Sequence, residues 1–129
     1  MDKILLPTDG SKSALKAAEY VAQLMKHSPS IEVTILAVED DQVLGDKVIK
    51  RTQGIFDQAG LTVKTIINKG VEEVGDIIVY YANNGPYNHV VMGRRGLSIL
   101  QNIFMGSVSN KVVKKAQVPV TMVPISPEK

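Results

Sequence analysis

The sequence contains no cysteine and no tryptophan, and it has only two phenylalanines, four tyrosines and two histidines. Without cysteine there are no disulfides and no thiolate metal sites, although that absence assigns no compartment. With aromatic residues at 5%, the core must be built from Ala, Val, Ile and Leu. No apolar run approaches the roughly 18 to 20 residues that span a bilayer. Met1-Asp2-Lys3 leads directly into a strand-like run, with neither the basic segment nor the small-residue cleavage site of a secretory signal, so the expected location is the cytoplasm. No Gly-x-x-x-x-Gly-Lys-Ser/Thr run occurs, which excludes a P-loop NTPase. The formal net charge of +2 is too small to argue for nucleic acid or membrane, and neither is expected as a partner. Lys111, Lys114 and Lys115, the densest basic cluster, read as the solvated last turn of a helix.

What is present is ordinary for a globular chain: 129 residues, 44% hydrophobic and 22% charged. The length predicts one domain over 1–129 that buries roughly two-thirds of its unfolded surface and needs no staples. Strand-like and helix-like segments alternate. Lys3 to Leu6 reads as a strand and Pro7-Thr8-Asp9-Gly10-Ser11 as the turn after it. Ala14, Leu15, Ala18, Val21, Ala22 and Met25 then repeat at helical spacing up to Ser28-Pro29-Ser30.

Glu32 to Val38 is a second strand, and Glu39-Asp40-Asp41 is an acidic turn suited to a helix start. Leu44, Val48, Ile55 and Ala59 predict the apolar face of that helix, broken by Gly45 and Gly54, with Gly60 just past its end. Leu61 to Ile67 alternates as a third strand with one face partly wet, which suits a sheet edge. Val71, Val74, Ile78 and Tyr81 mark a third helix closed by Asn83-Asn84-Gly85-Pro86. The last strand, Val118 to Val123, carries Pro119, which cannot donate to a ladder and places it at the other edge. Such alternation predicts an α/β fold with a five-stranded parallel sheet, helices on both faces and strand order 3-2-1-4-5. Ligands of such sheets bind outside the carboxyl ends of the strands where the order reverses, here between strands one and four.

Two segments meet at that reversal. One is Pro7-Thr8-Asp9; the other is the run Val90-Val91-Met92-Gly93-Arg94-Arg95-Gly96, continued after nine residues by Gly106-Ser107-Val108-Ser109. Val90 to Met92 is apolar enough for a strand buried on both faces, and Gly93 and Gly96 bracket two arginines. Ser107 is placed to cap a helix carrying Val108, Val112, Val113 and Ala116, whose N-terminus would attract phosphate. The pattern Gly93-x-x-Gly96, nine residues, Gly106-Ser107 resembles the nucleotide-binding signature of the universal stress protein family. The first strand with its turn, Ile4 to Ser11, and the ending Val118 to Pro124 share the likeness, so it spans the chain.

The resemblance implies a single flavodoxin-like, three-layer domain of the adenine nucleotide alpha hydrolase-like kind, binding ATP with Mg or Mn as the accompanying ion. It implies phosphate contacts from the backbone around Gly93, Arg94, Arg95, Gly96, Gly106 and Val108 and from the hydroxyls of Ser107 and Ser109. Asp9, beside Pro7 and Thr8, would face the ribose or a phosphate-bound metal ion, while Ala37 and Val38 would offer main chain to adenine and Met92 would pack nearby. It implies a two-fold homodimer through the last strand, using Val118, Val120, Met122 and Val123.

Each assignment has a plainer alternative. The glycines and Ser107 would also serve a sharp strand-to-helix connection, Arg94 and Arg95 would also be solvated, and Asp9 would also make an Asx turn or helix cap. Glu39-Asp40-Asp41 reads as a solvated helix start in preference to a metal site. His27 and His89 belong to no acid–base pair, so no catalytic residue is assigned and any ATPase activity is expected to be slow. Two other functions remain on the same fold: an interaction module that is nucleotide-free or tuned by AMP, and a flavin carrier, for which Phe104 is the sole nearby aromatic.

Overall fold

The computed structural model describes residues 2–94 and 106–125. Nine elements follow one another: β1 (Lys3–Thr8), α1 (Lys12–His27), β2 (Glu32–Val38), α2 (Gln42–Gln58), β3 (Lys64–Asn68), α3 (Val74–Asn84), β4 (His89–Gly93), α4 (Ser107–Lys115) and β5 (Val120–Val123). All strand pairs are parallel, in the order β3-β2-β1-β4-β5 expected from the alternation. No helix among the described residues is long and apolar enough to cross a membrane.

The period of two along each strand divides the core into two layers. Ile4 and Leu6 of β1, Val33, Ile35 and Ala37 of β2 and Val91 of β4 pack with α1 and α2. Leu5, Leu36, Val90 and Met92 point the other way, onto Ile78 and Ala82 of α3 and Val112 of α4. Small side chains line the inner face of α1, where Ala14, Ala17, Ala18 and Ala22 let the helix lie close to the sheet. Its N-terminus is capped by Ser11, whose Oγ accepts from the Ala14 N–H at 3.2 Å.

Helix α2 turns a different face inward from the one expected. Leu44 is 48% exposed, and the buried positions are Gly45, Ile49, Thr52 and Phe56. Val48 and Ile55 of the expected stripe pack partly buried against the core, but the fully buried centre of the face is shifted from it by one residue, or about 100°. At Gly45 a Cβ would sit 3.0 Å from Ile67 Cγ2, so the apparent break in the apolar pattern is the contact with β3. Gly60 follows the helix with φ of +72°, as its place past the end predicted.

Helix α3 begins at Val74, and Val71, assigned to its apolar face, is 98% exposed. Ile78 is buried as expected, with Gly75, Ile77 and Ala82 beside it, and Tyr81 packs partly buried against the same cluster. Pro119 lies just before β5, and its carbonyl accepts from the Val90 N–H at 2.9 Å. The last strand is thus shorter than the expected Val118–Val123, since proline ends the region where the ladder needs a donor.

The basic cluster also divides. Lys114 and Lys115 occupy the last turn of α4, but Lys111 reaches across to Glu73 and to Asp76, the latter at 3.2 Å. Gly75 allows this, because the Lys111 stem lies where its Cβ would point. Pairing first with Glu73 and then with Asp76 raises the lysine pKa above its ordinary 10.5. A raised folded-state value means the bridge stabilises fully below 10.5 and is lost as pH climbs through the folded value. Lys111→Met is accordingly expected to lower the Tm slightly at neutral pH, with the difference from wild type shrinking in high salt and at strongly alkaline pH. Thermal melts across pH and salt check this; a difference that persists unchanged would assign the effect to packing.

Candidate functional site

Parallel strands bring their carboxyl ends to one edge, and the sheet order reverses between β1 and β4. Their register, Ile4 with His89 and Leu5 with Val90, sets the carboxyl ends of these two strands side by side. Helix α4 runs back along the sheet into β5, so its N-terminus lies at the same edge. Asp9, Val38, Gly93, Arg94, Gly106 and Ser107 therefore lie towards the carboxyl-end edge of the sheet, where the topology expects a crevice between β1 and β4. Arg95 and Gly96 lie outside the described residues, as does Phe104.

The turn after β1 is held tightly. Pro7 and Thr8 are buried, and Asp9 is exposed. Asp9 Oδ1 accepts from the Ser11 N–H at 2.9 Å, which is an Asx turn, and Gly10 takes φ of +77°, a conformation glycine adopts without strain. The cap of α1 is Ser11, so the exposed Asp9 carboxylate serves the Asx turn and not the helix cap. At the end of β2, Ala37 pairs with Thr8 on one side and Ile67 on the other, whereas Val38 pairs only with Asn68. Main chain thus becomes available on the β1 side at Val38.

The exit from β4 is fixed from two directions. The Arg94 N–H donates to the Val123 carbonyl at 2.8 Å, and the Ser13 hydroxyl donates to the Arg94 carbonyl. At Gly93 a Cβ would lie 2.2 Å from the Ser13 carbonyl oxygen. Glycine is demanded there by the first turn of α1, whatever else it does. Met92 is buried with the α3 and α4 layer, beside the crevice floor.

Ser107 is the first residue of α4, and the cap position belongs to Gly106, contrary to the expectation that Ser107 caps. Gly106 has φ of −64° and ψ of 163°, values open to any residue, so the backbone does not require glycine. No side chain caps this helix, and its first turn holds no acid. Asp41, by contrast, caps α2 through bonds from the Val43 and Leu44 N–H groups at 2.8 and 3.1 Å, which is the structural use of the acidic turn. Among the described residues, the first amides of α4 have no capping side chain. Ser107 is exposed, Val108 is half-buried and Ser109 is buried at 8% exposure.

Sequence reasoning missed Ser13, Arg51 and Thr52, which hold the loops without entering the crevice. Thr52 had one legible signal, a polar residue in a buried helical phase, but that phase itself was misassigned. Neither histidine stands at this edge: His27 ends α1, and His89 begins β4 with Nε2 2.7 Å from Thr121 Oγ1. Among the described residues no group of three or more His, Asp or Glu side chains is gathered to hold a metal ion.

Fold and crevice together define a doubly wound, parallel α/β protein with an anion-ready helix start at its switch point. The sequence pattern of the universal stress protein family matches residues 1–124, and the chain belongs to that family. It is 30% identical to the universal stress protein Sll1654 of Synechocystis, over 94% of this chain and 84% of that protein. The fold is shared with a universal stress protein solved in complex with cAMP, at a TM-score of 0.78 and 24% identity, covering 97% of this chain and 98% of that one. It is shared as well with the universal stress protein from Archaeoglobus fulgidus solved in complex with dAMP, at a TM-score of 0.74 and 18% identity, covering 95% of this chain and 97% of that one.

Proposed function

We propose that this chain is a cytoplasmic adenine-nucleotide receptor of the stress-response or signalling kind, with ATP as its ligand in the crevice between β1 and β4. The observation that carries the reading is the α4 N-terminus, uncapped by a side chain among the described residues and opened by a glycine that its own backbone does not require. Amides at such a position, with the helix dipole behind them, favour a phosphate group. Ser107 adds an exposed hydroxyl, and Ser109, in the same first turn of α4, is buried. The main chain at Ala37 and Val38 would receive adenine, and Arg94, Arg95 and Gly96 would border the phosphates. That two solved proteins of this fold hold cAMP and dAMP supports an adenine nucleotide as the ligand class.

Asp9 alone does not make a metal site. One exposed carboxylate suits a Mg or Mn ion that arrives on the phosphates, because such ions keep waters and share their ligands with the nucleotide. With no imidazole at this edge and no general base assigned, ATP acts chiefly as a ligand and any hydrolysis is slow. The reading is tested by identifying the small molecule released on denaturing the purified protein and by titrating ATP against GTP. ATP or ADP in the released fraction, or selective binding of ATP, supports it; an empty protein that ignores both would make the domain an interaction module.

The same proposal includes a homodimer through β5. The strand lies at the sheet edge, where a row of main-chain groups invites pairing. Its residues are half-buried: Val118, Val120 and Met122 lean on the α3 and α4 layer and Val123 on the other. Light scattering is expected to give twice the 14.0 kDa chain mass, and Val120→Lys with Met122→Glu to give the monomer. Circular dichroism accompanies the variant because both side chains also touch the core. A wild-type monomer at micromolar concentration would remove the interface.

A further inference from the structure

Resting on that reading, we propose that Thr52, on α2, is a positioning residue for the nucleotide-facing turn at Asp9. The directions of four hydrogen bonds carry the argument. The Gly10 N–H donates to Thr8 Oγ1 at 3.1 Å. Thr52 Oγ1 lies 3.0 Å from the Val48 carbonyl, which can only accept, so the Thr52 proton goes there. The two threonine oxygens are 2.8 Å apart, and the remaining proton between them is that of Thr8. The relay therefore runs one way, from the Gly10 amide through Thr8 and Thr52 to the backbone of α2.

Both threonines are buried, Thr52 completely, so water cannot replace a missing partner. The neighbouring Arg51 donates Nη1 to the Gly10 carbonyl at 3.2 Å. Helix α2 thus holds Gly10 by its N–H and by its C=O, through residues more than forty positions away in sequence. Asp9 lies between the buried Thr8 and this doubly anchored glycine. Its backbone is thus held by α2 on both sides, and its carboxylate by the Ser11 N–H, although no residue of α2 needs to touch the ligand.

Thr52→Val keeps the shape of the side chain and removes the acceptor of the Thr8 hydroxyl. Thr8 must then turn its proton elsewhere, and the bond to the Gly10 amide weakens with it. Two readouts are taken: the shift and hydrogen exchange of the Gly10 amide without nucleotide, and the Kd for ATP. The expected result for Thr52→Val is a moved, faster-exchanging Gly10 amide and a Kd raised about tenfold, a 1.4 kcal/mol change. Thr52→Ser, which retains the hydroxyl, restores both. Arg51→Met alters an exposed side chain, so it tests the second hold even where Thr52→Val fails to fold, and should change both readouts in the same direction by less.

An unmoved Gly10 amide in Thr52→Val overturns the relay. Equal weakening in the valine and serine variants, following their thermal stability, reduces Thr52 to a packing residue and overturns the positioning role. Wild-type protein that ignores ATP removes the nucleotide reading itself, an outcome separate from the amide response.

Discussion

Gly93→Ala is expected to cost about 3 kcal/mol of stability, seen as a fall in Tm of about 10 °C. The added methyl would meet the Ser13 carbonyl oxygen at 2.2 Å and the Ser13 Oγ at 2.4 Å. Both partners belong to the first turn of α1, whose start is pinned by the Ser11 cap, so relief requires moving backbone. The hydroxyl bond from Ser13 to the Arg94 carbonyl is lost in the same displacement. A different outcome is easily recognised: if Gly93 served only a ligand, the alanine variant would melt like wild type and lose affinity alone. Thermal unfolding of the nucleotide-free protein separates the two.

Gly106→Val is expected to do the reverse. Its φ of −64° and ψ of 163° are available to valine, and exchanging glycine for valine at a cap position costs about 1 kcal/mol at most. The fold should persist. A branched side chain at the first position of the α4 amide cluster would occupy space that a phosphate needs, and the expected loss is about 100-fold or more in ATP affinity, near 2.7 kcal/mol. Calorimetric titration with a parallel thermal melt measures both quantities. A folded valine variant that binds ATP as wild type does would sink the phosphate cradle. One glycine is needed by the protein and the other by the proposed ligand.

Strand order, the bounds of β2 and the cap past α2 were legible because each depends on local pattern or on general rules of connection. The edge positions of β3 and β5 followed from alternating polarity and from Pro119. The inward face of α2 was not legible, because Gly45 and Thr52 carry no apolar signal although they occupy buried positions. A hydropathy reading is drawn instead to Leu44 and Val48, one residue out of phase. Val71 misled in the same way, an apolar residue before α3 that packs against nothing in the core.

For the site, the placing of Asp9, Gly93 and Gly106 towards one edge of the sheet follows from strand order, whereas the cap of α4 is Gly106 and not Ser107. The holds by Ser13, Arg51 and Thr52 join residues 41 to 81 positions apart. No single-chain pattern announces such pairs. Lys111 was hidden likewise, since its partners lie on another helix and its own neighbours suggested a solvated turn.

The central claim, that the crevice between β1 and β4 receives an adenine nucleotide, is tested most directly by following backbone amide resonances during titration with ATP. The account predicts saturable shifts concentrated at Asp9, Gly10, Val38, Arg94, Gly106 and Ser107. Absence of any shift, or shifts gathered instead along the shallow groove between α1 and α2 at Glu19, Gln23, Lys26 and Gln58, would contradict it.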